Sequence, residues 1–175
     1  MWEDVAFGNY IAGQADADST FYLRINVQKV HKYGLSAQCF WSVTKFNDKD
    51  ILLKMKDFLN LGRVYQVNRS NVKRKTGYQL MVTGTECLKL IEFFDKFTLR
   101  GSKLNDYKLW REAVQIRHQH PVRTRLEREA LVKLLKIKIE MFGRVRGTPR
   151  YSVDFFKNLI SQLESNSRKV SLEES

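Results

Sequence analysis

The spacing of apolar and polar positions changes abruptly near residue 18. Before it, Trp2, Val5, Ala6, Tyr10, Ile11 and Gly13 recur at helical spacing and predict a helix over residues 3–17. After it, "TFYLRINVQ" alternates: Phe21, Leu23, Ile25 and Val27 face one way, and Thr20, Tyr22, Arg24, Asn26 and Gln28 the other. Such a strand has one buried and one polar face. "HKYG" turns the chain, and "SAQCFWSVTK" returns it with Cys39, Trp41 and Val43 inward and Gln38, Phe40, Ser42 and Thr44 outward. "NDKDILLKMKDFLNLG" predicts a helix capped by Asn47 or Asp48 and stopped by Gly62, with Ile51, Leu52, Met55, Phe58 and Leu59 as its buried stripe.

A hairpin pattern follows in "RVYQVNRSNVKRKTGYQLMVTG", with Tyr78, Leu80 and Val82 inward and Gln79 and Met81 outward. "TECLKLIEFFDKF" predicts a third helix with Thr85 as its cap. The order αββαββα suits an α+β fold: a four-stranded antiparallel sheet with helices on one face. Beyond it come a loop and helix in "TLRGSKLNDYKLWREAVQI", a hinge at "HQHP" and a long basic helix over residues 122–142. A basic linker, "GRVRGTPRYS", a short helix, "VDFFKNLISQLESN", and a frayed tail complete the chain. This divides into a core over residues 1–120 and C-terminal helices over 121–175, all one domain, with no internal repeat of the αββαββ unit.

Composition narrows the partners. The 175 residues carry a formal net charge of +12, which favours a polyanion, nucleic acid before an anionic membrane. No apolar run approaches a membrane span, and "MWEDVAFGNY" is too acidic for a signal peptide, so the sequence predicts a soluble, untargeted protein. Cys39 and Cys87 lack zinc-site spacing and read as reduced, buried thiols. His118 and His120 form an H-x-H pair whose plain reading is a turn beside Pro121.

The outward residues Tyr22, Arg24, Asn26, Gln28, Gln38, Ser42 and Gln79 share one chemistry. Arginine can address guanine, and asparagine and glutamine can address adenine, in the major groove. An ordinary solvated face favours Lys and Glu, but Glu is absent from both early strands. A ten-residue strand spans roughly 33 Å, or about ten base pairs of DNA, so two copies would cover about twenty. The C-terminal helix offers Arg123, Arg125, Lys133, Lys136 and Lys138 to phosphates, contacts that add affinity rather than specificity.

One placement resists this plain reading. Asp16 and Asp18 sit at the C-terminal end of the first helix, where its dipole opposes negative charge. A bound cation would compensate.

"IAGQADADSTF", residues 11–21, resembles the LAGLIDADG motif of homing endonucleases. Ile11, Ala12, Gly13, Asp16, Ala17 and Asp18 match; Gln14 and Ala15 replace the usual large apolar pair, and Ser19 replaces the final glycine. "GSKLNDYKLW" is similar to the family's lysine-bearing segment, and the likeness spans residues 3–115. The resemblance implies the LAGLIDADG fold, with a curved DNA-binding sheet. It also implies metal-assisted double-strand cleavage of a long pseudo-palindromic target, a gene within a mobile intron, and residence wherever the host DNA lies, in bacterial or archaeal cytoplasm or an organelle.

With one motif the chain is similar to the homodimeric branch. The resemblance puts Ala12, Gly13 and Asp16 at the dimer interface, Asp18 and the Ala17 carbonyl on Mg²⁺, and Lys45 and Lys103 beside Asp18 as catalytic residues, Lys103 to within a residue or two of register. Thr20, Tyr22, Arg24, Asn26, Gln28, Gln38, Phe40, Ser42, Lys49, Arg69, Lys73, Arg74, Lys75 and Gln79 become the DNA-binding set. The same fold also serves RNA-binding intron maturases and inactive DNA-binding proteins, so these remain alternatives.

Overall fold

The computed structural model describes residues 2–28, 31, 33–67, 76–120, 126–142 and 151–173. Helix α1 (Val5–Asp18) begins at Asp4, whose carboxylate accepts the Phe7 amide at 2.9 Å. It runs directly into β1 (Ser19–Val27). Strand β2 (Leu35–Phe46) returns antiparallel, pairing Phe21 with Trp41 and Arg24 with Gln38. Then come α2 (Lys49–Leu59), β3 (Arg63–Val67), β4 (Gly77–Thr83) and α3 (Glu86–Lys96). The four strands form one antiparallel sheet in the order β1-β2-β4-β3, and the expected αββαββα core is present.

Alternation sorts the two faces of the sheet. Phe21, Leu23, Ile25, Cys39, Trp41, Val43, Leu80 and Val82 are all buried on the inner face. Aromatic rings from the helices complete that layer: Phe21 lies 5.3 Å from Trp110 and 5.5 Å from Phe94, and Trp41 lies 5.8 Å from Phe94. Each such side chain contributes about 1.5–3 kcal/mol by leaving water. Val27 departs from the expected pattern. It is half exposed, at the last position of β1.

Of the two expected caps of α2, Asp48 takes the role by accepting the Ile51 amide, while the Asn47 side chain accepts the Thr76 amide. The helix stops at Leu59 because Asn60 adopts a left-handed conformation, φ 53°, two residues before the expected Gly62. Gly62 is itself left-handed at φ 78°, and a Cβ there would come within 2.6 Å of the Met81 carbonyl. Thr85 makes no capping bond; Glu86 instead accepts the Gly62 amide at 3.2 Å.

Helix α4 (Lys103–Gln119) runs through half of the expected "HQHP" hinge, and Arg117 donates to the His120 carbonyl at 2.8 Å. Helix α5 (Arg128–Glu140) is shorter than the expected 122–142, and α6 (Val153–Glu173) continues past the expected end near residue 166. Both helices join the core through Leu131, Leu134, Leu135, Phe156 and Leu163. Among the described residues, no helix is long and apolar enough to cross a membrane.

The buried face of α1 is Gly8, Ile11, Ala12 and Ala15. Of the residues whose spacing predicts this helix, Ile11 is buried, and Val5, Ala6, Tyr10 and Gly13 are exposed, Val5 at 57%. Period alone predicts the helix without saying which of its apolar sides meets the sheet.

Candidate active site and nucleic-acid face

The junction of α1 and β1 is built by Ser19. Its φ of −87° and ψ of 165° are ordinary extended values, so no glycine is needed. Its hydroxyl donates to the Ala15 carbonyl at 2.7 Å, and its amide bonds the same oxygen. The helix therefore ends with Asp18 in solvent, its side chain 59% exposed, at the mouth of the strands.

Lys45, near the end of β2, donates to Asp18 at 3.2 Å. The register explains the meeting: Ser19 pairs with Val43, which places the end of β2 beside the end of α1. An exposed pair of this kind adds at most about 1 kcal/mol.

Asp16 has a different task. Its Oδ2 accepts the Arg100 amide at 2.7 Å and the Gly101 amide at 3.0 Å. It ties α1 to the loop that leads into α4, rather than to another helix as expected from the sequence. Its Oδ1 is buried without a partner among the described residues. Lys103, two residues past this anchor, donates to Asp106 at 3.1 Å, and no bond joins it to Asp18. The structure thus brings Asp18 and Lys45 together and holds the Lys103 segment against the same helix.

Ala12 is buried within the chain, whereas Gly13 and Ala17 are exposed. A Cβ on Gly13 would meet nothing within 4 Å. Gln14 buries its Oε1 without a partner among the described residues. Oxygen donors such as the Asp18 carboxylate and the Ala17 carbonyl suit a hard divalent cation. Among the described residues, though, no three His, Cys, Asp or Glu side chains gather in one place. Asp16 is committed to two amides, so Asp18 is the carboxylate left exposed at this helix end.

The expected polar residues lie on the outer face of the sheet, with differing access to solvent. Arg24, Gln28 and Gln38 are exposed, and Thr20, Asn26 and Phe40 are half-buried. Ser42 is not free to reach a ligand: only 5% exposed, it accepts from Gln79 at 3.3 Å, and Gln79 also donates to Thr44 at 3.2 Å. Gln28 accepts or shares a proton with His31 at 2.8 Å. Lys49 is exposed with its ammonium 5.8 Å from the Tyr78 ring. Arg69, Lys73, Arg74 and Lys75, and likewise Arg123 and Arg125, lie outside the described residues.

The rings of Tyr22 and Phe40 meet at a 45° tilt with centroids 4.9 Å apart, and the Arg24 guanidinium lies over Phe40 at 4.9 Å. Lys133 and Lys136 are exposed as expected for phosphate contacts, but Lys138 is buried. Two further residues of this face, on β3, were missed. Arg63 pairs with Met81 and Tyr65 with Gln79, so both share the polar face, and Tyr65 is 47% exposed. Alternation in "RVYQV" carried that signal.

The cysteines are buried and unlinked. Burial pushes the Cys39 thiol up to about 12, and Cys87 donates weakly to the Cys39 carbonyl at 3.6 Å. Both are inert structural groups.

Residues 11–114, more than half of the chain, match the family model described as LAGLIDADG endonuclease. A curated relative, Probable intron-encoded endonuclease 2 of Neurospora crassa, is 27% identical over 136 residues, covering 75% of this chain and 26% of that protein. The chain thus spans about a quarter of that relative's length. Among solved structures, the archaeal intron-encoded homing endonuclease I-Vdi141I complexed with DNA is 21% identical with a TM-score of 0.75, covering 93% of this chain and 99% of that one. The meganuclease I-CpaMI bound to uncleaved DNA is 18% identical with a TM-score of 0.70, covering 87% of this chain but 49% of that one.

Proposed function

The chain belongs to the LAGLIDADG endonuclease family, and from that premise we propose that it is a site-specific, intron-encoded homing endonuclease. It cuts both strands of a long pseudo-palindromic DNA target as a homodimer. The observation that carries this reading is the end of α1, where exposed Asp18 meets Lys45 at the edge of a polar sheet face. That placement joins a reactive carboxylate to a surface able to read bases.

A second copy completes the half-built site. Two α1 helices packed along Gly13 and Ala17 bring two Asp18 carboxylates together, with the Ala17 carbonyls beside them. Exposed Tyr10, on the same side of the helix, gains cover in the same contact. Coverage of nearly all of one solved chain and about half of another supports a unit that works in pairs. The Asp18 carboxylates and Ala17 carbonyls would hold Mg²⁺, which polarises the phosphate and lowers the pKa of a bound water.

The chain's own residues do the rest. Lys45 orients Asp18 and the water near it. Lys103, at the start of α4, offers positive charge to the phosphate. Asp16 fixes the loop that carries Lys103. The basic sheet face and Lys133 and Lys136 grip the backbone, and Arg24, Asn26, Gln38, Arg63 and Tyr65 meet the base edges.

The test uses the full chain with Mg²⁺ and duplex DNA spanning the intronless insertion site. Wild type should cut both strands. Asp18→Asn should bind with similar affinity and cut at least about a hundredfold more slowly, because it loses a charged metal ligand. Wild-type cleavage by Asp18→Asn would sink the site. No cleavage by wild type, with tight binding of the intron RNA, would move the assignment to a maturase. Specific DNA binding without cleavage would move it to an inactive DNA-binding protein.

A further inference from the structure

Lys138 is the only cation among the buried polar side chains of the described residues, at 9% exposure. It comes from α5, outside the αββαββα core. Its ammonium sits 4.0 Å from the centroid of the Tyr22 ring. Tyr22 packs against Phe40 at a 45° tilt, pairing with it across the β1–β2 ladder, and Phe40 carries the Arg24 guanidinium over its ring. Four side chains thus form one connected row of ring contacts, from a C-terminal helix to an exposed arginine midway along β1 on the polar face. Beside it lies a cavity of about 230 Å³ lined by Tyr22, Arg24, Asn26, Lys138, Tyr151 and Phe156.

A lysine buried to this degree is poorly placed to grip a phosphate, unlike exposed Lys133 and Lys136 on the same helix. It is well placed to hold a ring. A cation over an aromatic face is attracted by the ring quadrupole, most strongly where water is excluded. Burial first, and the Arg24 charge second, lower the Lys138 pKa to about 8, so the fold holds this cation at a cost. Among the described residues no carboxylate lines its cavity; the polar groups there are Tyr22, Arg24 and Asn26 from β1 and Tyr151 ahead of α6. Replacing the ammonium by an apolar chain would remove that cost, so a fold selected only for stability would not need it.

We propose that Lys138 is a positioning residue for base readout: packed over Tyr22, it orders the Tyr22–Phe40 pair and thereby fixes the direction of the Arg24 guanidinium. This rests on the reading of the sheet as a DNA-binding face. The C-terminal helices then tune specificity through the sheet rather than adding only backbone grip.

The experiment compares full-length wild type, Lys138→Met, Lys138→Arg, Arg24→Ala and the Lys138→Met/Arg24→Ala pair. The probe is a duplex selected by wild type from a randomised pool, together with its single-base-pair variants. Lys138→Met should lose about tenfold or more of the discrimination at the one base pair affected by Arg24→Ala, a loss of the size expected when a bidentate contact is misaligned. The double variant should match Arg24→Ala, because both remove the same contact. Lys138→Arg should restore discrimination. The salt dependence of binding should be unchanged by Lys138→Met.

In the free protein, the Arg24 side-chain Nε–H resonance should sharpen with the cation present and broaden in Lys138→Met. A uniform affinity loss with a salt slope lowered by about one would make Lys138 a phosphate contact and overturn the proposal. Unchanged discrimination in Lys138→Met would also overturn it, while leaving the DNA reading intact. Failure of wild type to select any duplex would remove both.

Discussion

Gly8 shows how one missing methyl sets the entry to the site. It lies in the middle of α1, where alanine is ordinarily better by about 1 kcal/mol. Here a Cβ would overlap the Phe97 ring. That ring cannot swing aside, being buried and packed 4.9 Å from Phe93. Overpacking a core of this kind costs about 1–3 kcal/mol, so the steric term exceeds the propensity gain. Gly8→Ala should therefore lower stability, read as a lower urea midpoint with an unchanged slope. A midpoint at or above wild type would show that Phe97 yields freely. Ser19 is the opposite case. Its hydroxyl rather than a special backbone angle secures the turn, so the letter that departs from the family motif is chemically accounted for.

The strands were legible because alternation is a strong signal when one face is buried and the other is not. Phe21 through Ile25 and Cys39 through Val43 fell on their expected faces. Helix α1 was legible as a helix, but not in its orientation. With apolar residues on both sides, period alone cannot say which side meets the sheet. The role of Asp16 was hidden for a related reason: its partners, Arg100 and Gly101, are backbone amides more than eighty residues away, and no local pattern announces them. The same holds for Lys138, which reads as one more base on a basic helix until the sheet is placed beneath it. Asp16 makes a test at this scale. Asp16→Asn keeps the volume but weakens two charge-assisted bonds, each worth about 1.5–3 kcal/mol in favourable settings. Arg100 and Gly101 amides should lose hydrogen-exchange protection, and DNA cleavage should fall while DNA binding persists. Undiminished protection at both amides would show that the loop holds itself.

At the scale of the molecule, stability and assembly can be pulled apart at Gly13. Among the described residues nothing lies within 4 Å of a Cβ there, and the residue is exposed on the same side of α1 as Tyr10 and Ala17. A larger side chain therefore meets no resistance inside one copy. Removing glycine from a helix interior gains about 1 kcal/mol, so Gly13→Leu should raise the thermal midpoint of the free chain. Between two copies the same leucine would hold the helices apart and separate the paired Asp18 carboxylates. The net charge of +12 sharpens the demand for close fit, because two such chains repel until DNA neutralises them. The expected outcome is a protein that is at least as stable as wild type, binds DNA as single copies and does not cut. Sedimentation of the DNA complex, melting of the free chain and a cleavage assay separate the effects. If Gly13→Leu still assembles in pairs and cuts at the wild-type rate, α1 is not the surface on which two copies meet.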